Sequence, residues 1–85
     1  MPIISSFYGI IIYMFWRDHN PPHFHARYGE YEIIVEIETG RVEGTFPKRA
    51  LQMIQEWRQL HKPELLENWT NAVQNKPIKK IKPLE

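Results

Sequence analysis

The sequence predicts an α+β domain: an antiparallel sheet of three to four strands, built as a β-hairpin meander, followed by two consecutive helices packed on one face of the sheet. Three observations carry this reading. A run of β-branched and aromatic residues lies near the start of the chain, two alternating segments meet at a glycine, and two proline-headed stretches repeat apolar residues at helical spacing.

The first run, "FYGIIIYMFW" (Phe7 to Trp16), has no polar face of the kind an amphipathic helix shows, and reads as one well-covered strand. "RDHNPP" ends it, because Pro21 and Pro22 restrict the residues before them and cannot donate ladder hydrogen bonds. A stiff, extended loop is expected there. The next segment alternates, with Phe24, Ala26 and Tyr28 on one side and His23, His25 and Arg27 on the other. Gly29-Glu30 suits a two-residue hairpin turn. The return strand then puts Tyr31, Ile33, Val35 and Ile37 opposite Glu32, Ile34, Glu36 and Glu38. A two-residue turn pairs Tyr28 with Tyr31, Phe24 with Val35 and His23 with Glu36, so apolar side chains meet apolar ones throughout. A second short turn at Thr39-Gly40 would pair Ile37 with Val42 and Glu36 with Glu43.

Pro47 is well placed at the first position of a helix carrying Ala50, Met53, Ile54, Trp57 and Leu60 on one stripe. Pro63 opens a second, with Leu65, Leu66, Trp69, Ala72 and Val73, and Pro77 ends it. The chain thus reads as a single domain over 1–85: sheet about 3–46, helices about 47–61 and 63–75, and a basic tail 76–85. The tail is either a short edge strand or an extended segment held by Ile78, Ile81 and Leu84.

With 42% hydrophobic and 25% charged residues the composition is that of a globular domain, and a net charge of +1 argues against strong whole-molecule attraction to nucleic acid or membrane. The charge is uneven: residues 30–43 carry five glutamates against Arg41 alone, and residues 76–85 four lysines against Glu85. The absence of cysteine excludes disulfides and thiolate chemistry and suits a cytoplasmic protein. The apolar run Ile10 to Trp16 is far shorter than the roughly 20 residues a membrane span needs, so no membrane association is expected.

Chemistry concentrates in "DHNPPHFHARYG" (Asp18 to Gly29), which holds three of the four histidines. In the expected register His23, Glu36 and Glu43 form a row across three strands, on a face turned away from the helices and open to solvent or a partner. Two glutamates side by side call for a cation, either a protonated His23 or a bound metal. One reading is acid–base catalysis on RNA: His25 as base, His23 as acid and Arg27 holding the phosphate, with Tyr28, Glu36 and Glu43 as binding residues. Another is a divalent metal site, zinc for example. His23 and His25 lie two apart on one strand and point the same way, and His19 in the stiff loop completes a three-histidine set. A polar outer face with cross-strand ion pairs accounts for the same residues without either.

The segments "FYGIIIYMFWRDHNPPHFHARYGEYE", "IETG", "PKRAL" and "KKIKPLE" together resemble the small bacterial family catalogued as domain of unknown function four-one-six-zero. His19, Pro21, Pro22, His23, His25, Arg27, Tyr28 and Gly29 carry the resemblance most strongly. It implies a cytosolic protein with a small cognate protein partner from the same gene cassette, of toxin–antitoxin type. It implies no catalytic residue. Two classes of function remain: a toxin-like ribonuclease using His23, His25 and Arg27, or a non-catalytic binding module, metal-loaded or not. Homo-oligomerisation is left open.

Overall fold

A computed structural model describes residues 2–85. Five strands form one antiparallel meander in chain order: β1 (Ile3–Phe7), β2 (Ile10–Tyr13), β3 (His23–Tyr28), β4 (Tyr31–Glu36) and β5 (Val42–Glu43). Two helices follow, α1 (Lys48–Leu60) and α2 (Lys62–Val73). The α+β class and the two C-terminal helices are as the sequence predicts; the strand count is higher.

The extra strand, β1, lies mostly ahead of the apolar run Phe7 to Trp16; that run is not one strand, because it opens in a turn and only Ile10–Tyr13 of its remainder forms β2. Tyr8 and Gly9 both take positive φ, +50° and +83°, as a two-residue turn matched to the twist of a hairpin requires. Phe7 accordingly pairs with Ile10. A glycine inside an apolar run reads as a weak spot in a strand, but here it is the second residue of a turn.

The β3–β4 hairpin has the predicted register, from Tyr28 opposite Tyr31 to His23 opposite Glu36. The following turn does not. The Glu36 N–H donates to the Arg41 carbonyl and the Gly40 N–H to the Glu36 carbonyl, so the connection is a longer loop. Val35 then faces Val42 and Ile34 faces Glu43. The predicted row of His23, Glu36 and Glu43 is therefore corrected. Glu36 lies beside Arg41, whose Nη1 is 3.5 Å from its carboxylate, and this arginine supplies the cation that the sequence reading sought from His23 or a metal.

The helices cover the face bearing Ile4, Ile10, Ile12, Phe24, Ile33 and Val35, all buried. Trp57 of α1 is the centre of this core, with its ring 5.5 Å from that of Phe7 and 5.7 Å from that of Phe24. Leu60, expected on the same stripe, is exposed. The buried Arg58 donates to the carbonyl oxygens of Ile37 (2.8 Å) and Glu38 (3.5 Å), satisfying backbone groups of the β4–β5 loop. The tail is the extended segment rather than a strand. The Ile81 N–H donates to the Ile4 carbonyl, the Trp57 indole N–H to the Lys82 carbonyl, and Asn68 bonds both the N–H and the carbonyl of Lys79. No helix among the described residues is long and apolar enough to cross a membrane.

Candidate metal centre

The loop between β2 and β3 carries Asp18 back over the face opposite the helices. Three backbone bonds tie this loop down: Met14 N–H to the Pro2 carbonyl, Arg17 N–H to the Ala72 carbonyl, and Ile37 N–H to the Pro22 carbonyl. Trp16 adds an indole N–H bond to the Lys76 carbonyl. The histidine face, expected to be open, is thus partly roofed, and His23 is only 5% exposed.

Under that roof Asp18 joins the histidines. Its Oδ2 lies 2.9 Å from His23 Nε2 and 3.5 Å from His25 Nε2, while its Oδ1 accepts the His19 backbone N–H. One ligand atom each from Asp18, His23 and His25 lies within 4.8 Å of the others. The His23 Nδ1 is 2.8 Å from the Pro21 carbonyl oxygen, to which it donates. That bond fixes the proton on Nδ1 and turns Nε2 towards Asp18, the orientation that an outer hydrogen bond imposes on metal-binding imidazoles.

Cross-strand pairing sets the walls. Tyr13 stands opposite His25 and is buried, its ring stacked on the imidazole at 5.1 Å, and Phe15 meets that imidazole edge-on at 4.7 Å. Burial in this aromatic sandwich lowers the His25 pKa, and hydrogen bonding to Asp18 offsets only part of the effect. Burial alone would raise the Asp18 pKa, but the His19 N–H and the two imidazoles outweigh it and hold the carboxyl below its ordinary value. Below His23, the Trp69 ring of α2 lies 5.0 Å away.

The other predicted residues are distributed around this centre. His19 stands at the rim, its side chain 89% exposed, its Nδ1 3.0 Å from Asp18 Oδ1 and its ring 5.7 Å from that of His23. Arg27 lies four residues from His23, about 13 Å along the strand, and two from His25, about 6.6 Å along the same face. It binds Glu32 at 3.2 Å and lies over the Tyr13 ring. Tyr13 donates to the same Glu32 oxygen at 2.5 Å, and that bond, with the one from Arg27, lowers the Glu32 pKa. Burial and Glu32 raise that of Tyr13. Tyr28 sits at the far end of β3 beside Phe46. Glu36 and Glu43 line a hollow beside His23, and Glu43 also lines a second one beside His25.

Asp18 is the residue that sequence reasoning missed. An aspartate five residues before His23 in a proline-stiffened loop was the available signal, but nothing in strand periodicity says that the loop turns back over the sheet. Comparison with curated proteins and with solved structures yields no match. The family model described as domain of unknown function (DUF4160) matches residues 9–70, which include Asp18, both buried-face histidines and their aromatic walls, and the chain belongs to that family.

Proposed function

We propose that the protein binds a divalent first-row transition metal, of the zinc class, through Asp18, His23 and His25. The observation that carries this reading is the convergence of one carboxylate oxygen and two imidazole nitrogens within 4.8 Å. Donor atoms around a tetrahedral zinc with bonds of about 2.0 Å stand about 3.3 Å apart. The two spacings to Asp18 Oδ2, 2.9 and 3.5 Å, straddle that value. Two histidines and a carboxylate leave further positions open for water or a ligand, as catalytic and substrate-binding centres do. The set differs from the three-histidine one expected from sequence in that Asp18 replaces His19. Family membership adds no activity to this reading.

A second reading, metal-free acid–base catalysis on RNA, draws on a specific feature. Both nitrogens of His23 face oxygen acceptors, and a neutral imidazole has only one N–H to give. In this reading His23 is the proton donor, and His25, its ring 5.3 Å away between centroids and its pKa lowered by burial, is the acceptor. Arg27, two residues from His25 on the same face of β3, is bound to Glu32.

The test is zinc titration of chelator-treated protein against a chromophoric competitor, followed by incubation of the metal-free and zinc-loaded forms with single-stranded RNA. The metal reading expects one zinc per chain, with affinity reduced at least about 100-fold in Asp18→Asn or His25→Ala. RNA cleavage by the metal-free form, lost in His23→Ala, would favour the second reading. Wild-type and variant chains that bind zinc equally poorly would overturn the first.

A further inference from the structure

Beside His23, the β4–β5 edge and the Pro21 loop border a solvent-open hollow of about 140 Å³, lined by His19, Pro21, His23, Ile34, Glu36, Arg41 and Glu43. Its chemistry is set by β5 and the residue before it. Arg41 and Glu43 are two residues apart, so their side chains leave the same face of the sheet with their Cα atoms about 6.6 Å apart. One is a cation and the other an anion, and Ile34, the cross-strand neighbour of Glu43, supplies an apolar surface beside them.

The charge pairing on this face leaves both groups with capacity to spare. Glu32 is bound by Arg27 and Tyr13, and Glu36 by Arg41 and Thr39. Among the described residues Glu43 has neither an ion-pair partner nor a side-chain hydrogen bond. Of the Arg41 guanidinium only Nη1 is engaged, by Glu36 at 3.5 Å, and the side chain is 69% exposed. The remaining donors of the planar fork are those that take a carboxylate in the bidentate manner.

We propose that this hollow is a binding site for a small zwitterion of the α-amino acid class, its carboxylate taken by Arg41 and its ammonium group by Glu43. The hollow has room for a ligand of a few heavy atoms, the smallest amino acids included. A simple anion in this hollow would meet Glu43 and Glu36, and a simple cation would meet Arg41; a ligand carrying both charges pairs with both ends, with the imidazoles of His19 and His23 beside it. The proposal goes beyond the metal reading. The hollow shares the His23 wall with that centre but holds the ligand through residues outside it.

The experiment is chemical-shift titration of the ¹⁵N-labelled protein with L-alanine, acetate and methylamine, in chelator and again after zinc loading. Alanine is expected to shift the amides of residues 41–43 in the chelator-treated protein and to bind at least ten-fold more tightly than either single-charge compound. Arg41→Gln should reduce alanine to the level of methylamine, and Glu43→Gln to the level of acetate. Both variants alter exposed side chains, and their unperturbed spectra elsewhere establish that they fold. If acetate or methylamine matches alanine, if alanine binds nowhere near these residues, or if neither variant weakens it, the proposal is overturned. Zinc affinity, read separately, is unaffected by that outcome, so failure of the metal reading and failure of the zwitterion site are distinguishable.

Discussion

Asp18 shows how much one side chain decides. Its two oxygens divide the local histidines, Oδ1 facing His19 and Oδ2 facing His23 and His25. The His25 pKa is lowered by burial, so the native state holds fewer protons than the unfolded chain in mildly acidic solution. The stability this group contributes is full above about pH 6.5, its unfolded value, and falls as pH drops from there towards its lower value in the fold. Denaturant unfolding of metal-free protein at pH 7.5 and 5.5 should therefore show a smaller loss in His25→Gln than in the wild type. An equal loss in both would place the acid sensitivity elsewhere. Tyr13 gives a second expectation. Its hydroxyl is the largest cause of the lowered Glu32 pKa, so Tyr13→Phe should move the Glu32 carboxyl titration upwards, measured by carbon-detected NMR.

At the scale of elements, the positions of greatest consequence are those where backbone meets backbone. Gly44 follows β5 with φ of +109°, and a Cβ there would stand 2.8 Å from the Glu32 carbonyl oxygen. Neither the conformation nor the space suits a side chain. Gly44→Ala is expected to cost about 2 kcal/mol or more, read as a lowered midpoint of thermal unfolding, with β5 pulled from β4. Asn68 has the same role between α2 and the tail, its buried amide bonding both backbone groups of Lys79. Replacing it with alanine leaves those groups without a partner, a loss of about 1–3 kcal/mol. Hydrogen exchange should then rise at residues 78–82 before it rises in the sheet. The β3–β4 hairpin was fully legible in the sequence, since a strict period of two fixes its register once the turn length is known. The β4–β5 connection was not, because Arg58 and Gln55 of α1 hold its loop through the carbonyls of Ile37 and Gly40, and side chains fifteen or more residues downstream leave no mark on local periodicity.

For the whole molecule, a chain this short has one core and no reserve, so every covering segment counts. The tail buries Ile81 and provides the hydrogen-bond acceptor for the central Trp57 indole. Truncation of residues 77–85 should lower the unfolding midpoint by several degrees or more and expose Trp57, seen as a red shift and quenching of its fluorescence; an unchanged emission would mean that the tail contributes nothing to the core. By itself the sequence determined the α+β class, the faces that β3 and β4 turn inwards and the helix boundaries within a residue or two. Those properties are written in local periodicity and in proline and glycine placement, which act over a few bonds. The tertiary structure alone decided that the first apolar run opens in a turn and pairs with the residues before it, and that Arg41 rather than Glu43 stands beside Glu36. It also decided that Asp18 reaches both His23 and His25 while His19 stays at the rim beside His23, because the path of a loop is settled by the distant groups that satisfy its backbone, here Pro2, Ile37 and Ala72.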